Sequence, residues 1–510
     1  MDLHKLESLK NSITNISEEG IKKQHSFGKL TARERISRLV DENSFVEIGA
    51  FTEHRSTSFG MENKKINEDG VITGSARING RDVYIAVQDF TSHGGTLGEM
   101  HAKKIAECQE RAIKYGVPMI MINDSGGARI QEGIDALAGF GVLFNNAIKA
   151  SGVIPQISII AGPCAGGAVY LPALTDFIFM TKDISDMFIT GPSVIKAVTG
   201  EEVSAEELGG AIVQNKTSGV AHFYEETEDE CYRDVRKLLS YLPQNNLDDA
   251  SVQVSNDNTD RICDSLDTII PDIPSKSYDV KDVISSIVDS GEYFEVQKMF
   301  GANIVTCFAR ISGKSVGIIA NQPKVNAGSI DSDASDKASR FIRTLDTFNI
   351  PLITLVDVPG YLPGVKEEHK GIIRHGAKLL YAYTEASVPK ITVILRKAYG
   401  GAYIAMCSKH LGADVVYAWP SAEIAVMGAE GAVNILFNKE LKATSDSSFR
   451  EKKIEEYKNE FMTPLMAAKR GYIDDIIRPS STRKYLINAL QLLKNKKIYK
   501  IQKKHGNMPL

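Results

Sequence analysis

Four glycine-rich stretches bring together residues whose types and spacing could do chemistry. Asp124-Ser-Gly-Gly-Ala-Arg-Ile-Gln-Glu132 and Asp357-Val-Pro-Gly-Tyr-Leu-Pro-Gly364 each follow a short apolar run. Ile157-Ser-Ile-Ile-Ala-Gly-Pro-Cys-Ala-Gly-Gly-Ala168 and Ile391-Thr-Val-Ile-Leu-Arg-Lys-Ala-Tyr-Gly-Gly-Ala402 each run from an apolar strand through a Gly-Gly pair into residues that can be helical. A glycine pair after a strand lets the backbone turn sharply and approach a ligand closely. The next N–H groups open a helix, where they lack partners and the dipole is positive. Main-chain amides placed this way can bind an oxyanion. The sequence therefore offers the N–H groups of Gly127 and Ala128 against that of Gly167, and a second set at Gly400, Gly401 and Ala402.

Side-chain chemistry is sparse beside this. There is no Gly-x-Ser-x-Gly elbow, His-Glu-x-x-His pair or EF-hand loop. Gly313-Lys-Ser315 looks like the end of a phosphate loop, but Phe308 stands where the earlier glycine is needed. A hairpin turn is expected there. His93, His101, His375 and His410 are candidate bases, yet each alone reads more simply as a packed or surface histidine. Two oxyanion pockets suit enolate-like partners, such as an acyl thioester losing its α-proton. The proton acceptor is left to the second substrate.

The elements that must position these loops repeat. Ile72 to Val83 recurs as Val305 to Val316, with turn glycines Gly80 and Gly313 offset by 233 residues. Pro118-Met-Ile-Met-Ile-Asn-Asp124 recurs as Pro351-Leu-Ile-Thr-Leu-Val-Asp357 at the same offset, and the Gly-Gly pairs follow one residue further on. A period this long is a duplicated domain, not a solenoid repeat. Apolar strand runs alternate with helical stretches such as Ile130–Ala138 and Ile372–Leu380, which predicts α/β units with largely parallel strands. Domains are expected over residues 1–250 and 251–510, joined by a polar linker at 245–277. Ahead of them, Thr31-Ala-Arg-Glu34 predicts a capped helix start.

Composition bounds the rest. The 510 residues are 43% hydrophobic and 24% charged, with a net charge of −4, giving no reason to expect nucleic acid as a partner. No run is long enough to span a bilayer, and the N-terminus lacks a secretory core. Six scattered cysteines read as reduced, buried thiols of a cytoplasmic protein. The Asn15-Ile-Ser17 and Asn215-Lys-Thr217 glycan patterns are then idle.

The four loops, with Gly371-Ile-Ile-Arg-His-Gly-Ala377, Lys29-Leu-Thr-Ala-Arg-Glu-Arg35 and Tyr417 to Gly428, resemble the biotin-dependent acyl-CoA carboxyltransferase family over almost the whole chain. The resemblance implies two crotonase-like ββα-superhelix domains and a homohexamer built as a trimer of dimers. Each active site would join the first domain of one subunit to the second domain of its partner. The first domain would take the CoA thioester, with Gly127, Ala128 and Gly167 holding its enolate oxygen and Gly126, Arg129, Ala165 and Gly166 contacting substrate, as would Ile404 of the second domain. The second would take carboxybiotin, with Gly401 and Ala402 on its ureido oxygen and Gly360, Tyr361, Tyr399 and Gly400 around it. Biotin would supply the missing base from a separate carrier protein or carboxylase subunit, since this chain has no Met-Lys-Met site. No metal is expected.

Ile404, where many carboxylases of the family have Asp, leans towards the branch that decarboxylates methylmalonyl-CoA or passes its carboxyl group on. A sodium-pumping complex with a membrane decarboxylase subunit is the neighbouring reading. Lys370 and Ser329 depart from the family on the biotin side. Two rivals stand beside it. One is a biotin-independent hydratase or isomerase, with Glu132 as its carboxylate. The other is a non-catalytic assembly subunit whose glycine loops only pack.

Overall fold

A computed structural model describes residues 1–14, 18–64, 66–273, 276–498 and 501–510. The Asn15 glycan pattern, and Pro274 and Ser275 of the expected linker, lie outside them. The chain divides into two compact units, Met1–Asp249 and Ala250–Leu510.

In the first unit the sheet runs β1 (Val46–Ile48), β2 (Val71–Ile78), β3 (Arg81–Gln88), β4 (Met119–Ser125), β5 (Gln156–Ala165), β6 (Phe177–Thr181) and β8 (Phe223–Glu225), with β7 (Asp186–Phe188) paired to the end of β5. The pairs β1–β2 and β2–β3 are antiparallel; all later pairs are parallel. The helices Glu99–Tyr115 and Ile134–Ala150 make the crossovers on either side of β4. Strands buried on both faces need near-continuous apolar sequence. Met119-Ile-Met-Ile122 and Ile157-Ser-Ile-Ile160 provide it.

The second unit repeats the plan. Its order is β16 (Asp475–Ile476), β14 (Val415–Ala418), β13 (Lys390–Tyr399), β12 (Leu352–Val358), β11 (Lys314–Asn321), β10 (Ile304–Ile311) and β9 (Tyr293–Val296), with β15 (Glu423–Ala425) on the end of β13. Ile311 pairs with Lys314 across the tight β10–β11 turn, so Gly313-Lys-Ser315 is a hairpin. Buried lysines are duplicated as well. Lys104 Nζ donates to the carbonyls of Glu68 (2.9 Å) and Val71 (2.5 Å), and Lys337 Nζ to those of Phe300 and Ile304 (both 2.8 Å).

The capped helix Ala32–Leu39 forms as expected, with Thr31 Oγ1 accepting from the Glu34 N–H and Glu34 accepting from that of Thr31. The expected linker is shorter than its composition suggested. Asn245 donates to the Gly116 carbonyl in the first unit. From Gln253 onward the chain bonds to the second unit, at the Gly313 carbonyl and then, through Cys263, at that of Ser480. Buried Cys263 and Leu266, and the Arg261 guanidinium donating to the Ser286 (2.9 Å) and Val288 (3.1 Å) carbonyls, hold it there. All six cysteines are free and buried. Among the described residues no helix is long and apolar enough to cross a membrane, and no cluster of three or more His, Cys, Asp or Glu side chains could hold a metal.

Candidate active site

Each unit brings its two glycine loops together at the carboxyl ends of neighbouring parallel strands, where open α/β sheets place ligands. In the first unit the β4–β5 register slips between Asn123 and Ser125, after which Ser125 pairs with Cys164. Gly127 (φ +98°) then passes so close to β5 that a Cβ on it would sit 3.3 Å from the Ala165 carbonyl. In the second unit the register slips between Val356 and Val358, and Val358 pairs with Ala398.

The loop behind each pocket is tied in the same way. The Leu97 N–H donates to the Gly127 carbonyl and the Arg129 N–H to that of Leu97, both at 2.9 Å. At the 233-residue offset, the Ile330 N–H donates to the Gly360 carbonyl (3.1 Å) and the Leu362 N–H to that of Ile330 (2.8 Å). These ladders bracket the N–H groups of Ala128 and Tyr361, which correspond.

Gly166 (φ +66°) and Gly400 (φ +58°) turn the chain in a left-handed conformation that other residues resist. Gly167 and Gly401, the next residues, are exposed. Gly167 is the second residue of a short 3-10 turn, Gly166–Val169, and Gly401 lies in the first turn of the helix Gly400–Ala405. The N–H groups of Gly400, Gly401 and Ala402 precede the point where intrahelical bonds can begin.

Two expectations are corrected. The Gly127 N–H donates to Ser125 Oγ at 3.1 Å. Its N–H is engaged inside the turn, so of the three expected donors Ala128 and Gly167 are the candidates that remain. Arg129 is fully buried. Its Nη1 meets Asp69 Oδ1 (2.5 Å) and Glu132 Oε1 (2.8 Å), and its Nη2 the Thr96 carbonyl (2.8 Å). Arg129 braces the loop from behind instead of reaching a substrate.

Glu132 and three of the four candidate histidines are engaged elsewhere. Glu132 Oε2 accepts from the Glu99 N–H at 2.6 Å while Oε1 holds Arg129. His101 is buried, with Nδ1 2.8 Å from the Asp69 carbonyl; burial, then the nearby Arg129 charge, pushes its imidazole down to about 3. His375 Nδ1 lies 2.8 Å from Asp336, and His410 packs edge-on against Tyr472.

Of the remaining candidates, Gly126 is exposed and Ala165 half-buried beside the first pocket. Ile404 is 40% exposed on the helix that begins at Gly400. Tyr399 is buried, and its hydroxyl donates to Glu423. Burial pushes the Tyr361 phenol up to about 12 and the Cys164 thiol, inside the first loop, also to about 12. Lys370 Nζ lies 3.6 Å from Asp333 and 3.7 Å from Glu367. The sequence reading missed Ser125, and it missed Asp124 and Asp357 as buried anchors.

Residues 23–508 match the family described as carboxyl transferase domain. The chain is 58% identical over 493 residues to the methylmalonyl-CoA decarboxylase subunit alpha of Veillonella parvula, covering 97% of this chain and 96% of that one. It is 57% identical over 497 residues to the methylmalonyl-CoA carboxyltransferase 12S subunit of Propionibacterium freudenreichii subsp. shermanii (96% and 94%). It is 54% identical over 490 residues to the propionyl-CoA carboxylase beta chain of Cereibacter sphaeroides (96% of each). A crystal structure of transcarboxylase 12S, described as a hexamer assembly with methylmalonyl-coenzyme A and methylmalonic acid bound, is similar at a TM-score of 0.97 and 55% identity, over 100% of this chain and 98% of that one.

Proposed function

This chain belongs to the carboxyl transferase domain family and is a carboxyltransferase subunit of the biotin-dependent carboxylase and decarboxylase class, and we propose that its two glycine pockets divide the reaction between them. The first pocket binds the propionyl- or methylmalonyl-CoA thioester. The N–H groups of Ala128 and Gly167 meet the thioester oxygen as it gains charge, at little reorganisation cost because the backbone already holds them. The second pocket receives biotin from a carrier protein or carboxylase subunit, with the N–H groups of Tyr361, Gly401 and Ala402 directed at the ureido oxygen. The open space around Gly360 and Gly401, where an added Cβ would meet no atom within 4 Å, fits such a group. When bound, biotin supplies the transferable carboxyl group and the base. The half-exposed Ile404 offers an apolar surface on the helix that begins at Gly400.

One observation supports this reading above the others: two separately folded loop pairs, related by duplication, end in exposed glycines at helix starts. A hydratase would need a carboxylate free to accept a proton, and Glu132 is committed to Arg129 and the Glu99 N–H. The finer proposals are a cytoplasmic homohexamer, the thioester pocket of one subunit working with the biotin pocket of its partner, and in the decarboxylase branch a separate membrane subunit. Pure protein mixed with free biotin and methylmalonyl-CoA should form carboxybiotin and propionyl-CoA. Hydration of an enoyl-CoA without biotin, and no such transfer, would overturn the proposal.

A further inference from the structure

The two units hold corresponding aspartates in place by opposite means. Asp124 and Asp357 end the apolar runs of β4 and β12 and are 0% and 1% exposed. Their surroundings match in detail. The Asp124 N–H donates to Gln88 Oε1 (3.2 Å) and the Asp357 N–H to Asn321 Oδ1 (3.3 Å). Their carbonyl oxygens lie 2.3 and 2.5 Å from where a Cβ on Gly95 or Gly328 would be. Each aspartate leads directly into its glycine loop.

The carboxylates differ. In the second unit β13 itself supplies two partners, beside the Tyr278 phenol: Arg396 Nε donates to Asp357 Oδ2 and the Lys397 N–H to Oδ1, both at 3.0 Å. The corresponding residues of β5, set by the Gly-Gly pairs and by the pairing of Pro163 with Asp186 and Lys397 with Glu423, are Gly162 and Pro163. Glycine has no side-chain cation and proline no N–H. A Cβ at position 162 would lie 2.0 Å from Asp124 Oδ1 and 2.8 Å from Lys29 Nζ. The space that Arg396 fills in one unit is filled in the other from the N-terminal segment. Lys29 Nζ reaches Asp124 Oδ1 (2.7 Å), and Arg35 Nη1 and Gln24 Nε2 reach Oδ2 (both 2.8 Å). Arg35 is held in turn by Glu228 (2.8 Å) and the Ala161 carbonyl (2.7 Å).

We infer that Lys29 and Arg35 are positioning residues of the first pocket, doing through Asp124 what Arg396 and the Lys397 N–H do through Asp357 for the second. The N-terminal segment is then part of the machinery that aims the Ala128 N–H, and not only a cover on the sheet. The inference rests on the proposed thioester role of that pocket.

Lys29→Met in the full-length protein tests it, because Arg35 and Gln24 remain to keep the carboxylate satisfied. Losing one charge-assisted hydrogen bond should lower carboxyl transfer about ten- to a hundredfold. Affinity for a propionyl-CoA analogue bearing a nitronate in place of the enolate should fall by a similar factor. Affinity for the unreacted thioester should hold. Adding Pro163→Ala returns an N–H where Lys397 has one, and should recover part of the loss. Equal losses for both ligands, a lower melting temperature with unchanged ligand selectivity, or no recovery with Pro163→Ala would overturn the inference. Absence of transfer by the unmodified protein would instead overturn the function proposed above.

Discussion

The two pockets share a backbone and differ in nearly every side chain around it. Ala128 and Tyr361 sit between matching ladder bonds, and Gly167 and Gly401 are both exposed behind a left-handed glycine. Around that frame, Ala165 corresponds to Tyr399, Gly162 to Arg396 and Pro163 to Lys397. The first loop passes through Gly133 into its long helix at Ile134. The second inserts a short helix, Val365–Lys370, between Gly364 (φ +142°) and Gly371 (φ +84°) before the long helix begins at Ile372. After duplication the main-chain donors stayed fixed while the side chains were free to specialise. On the function proposed above, the shared part of the chemistry would reside in the amides and the choice of ligand in what surrounds them.

The sharpest way to break this comparison is to remove one amide from each pocket. Ala128→Pro and Tyr361→Pro each delete an N–H, and each should lower kcat by about 10²–10³. Circular dichroism would establish that the sheet is retained. A large loss from one substitution and none from the other would mean that the pockets are not functional twins.

Acid should separate the units next. His101 is buried in the first unit, and the residue at its 233-residue offset is Ala334. An imidazole held down to about 3, against a usual 6.5, stays neutral in the native state while the unfolded chain takes up a proton. Stability of the first unit should therefore fall as pH drops from 6.5 towards 3. Hydrogen exchange resolved by segment should show the first unit opening earlier on acidification, and His101→Gln should reduce the difference.

Smaller effects sharpen the second unit alone. Tyr399→Phe leaves the Glu423 carboxylate without its phenol donor. It should cost about 1–3 kcal/mol in that unit, read as a lower urea midpoint there and none in the first. Lys370→Ala removes ion pairs of 3.6 and 3.7 Å at a side chain 40% exposed. It should change stability by less than about 1 kcal/mol. A large rise in the KM for biotin would show that Lys370 belongs to the pocket.

Much of this was legible in the sequence because duplication supplied an internal alignment. The hairpins, the buried strands and the glycine loops recur at one offset, and strand and turn chemistry is local. What escaped depends on contacts between residues far apart in the chain. The Lys29–Asp124 bond joins residues 95 apart, and nothing near Asp124 announces it. Gly162 opposite Arg396 was visible once the copies were aligned, but an absent side chain draws attention only when a partner is seen occupying its space. Arg129 looked like a ligand contact because it sits in the right loop. Only three-dimensional packing reveals Asp69 and Glu132 behind it. The Gly127 donor was misassigned because the Ser125 hydroxyl competes for its N–H at a range of two residues. The linker looked longer than it is because its polar run hides two apolar anchors, Cys263 and Leu266.

The buried cysteines have a practical corollary. A molecule that handles acyl thioesters is at risk from its own thiols, since a thiolate could take the acyl group by exchange. Cys164, although it lies within the first glycine loop, is 1% exposed, and its thiol is pushed up to about 12. It should neither steal acyl groups from CoA nor yield readily to maleimide reagents. A single cysteine added on the surface could therefore carry a fluorophore without competition from the native six.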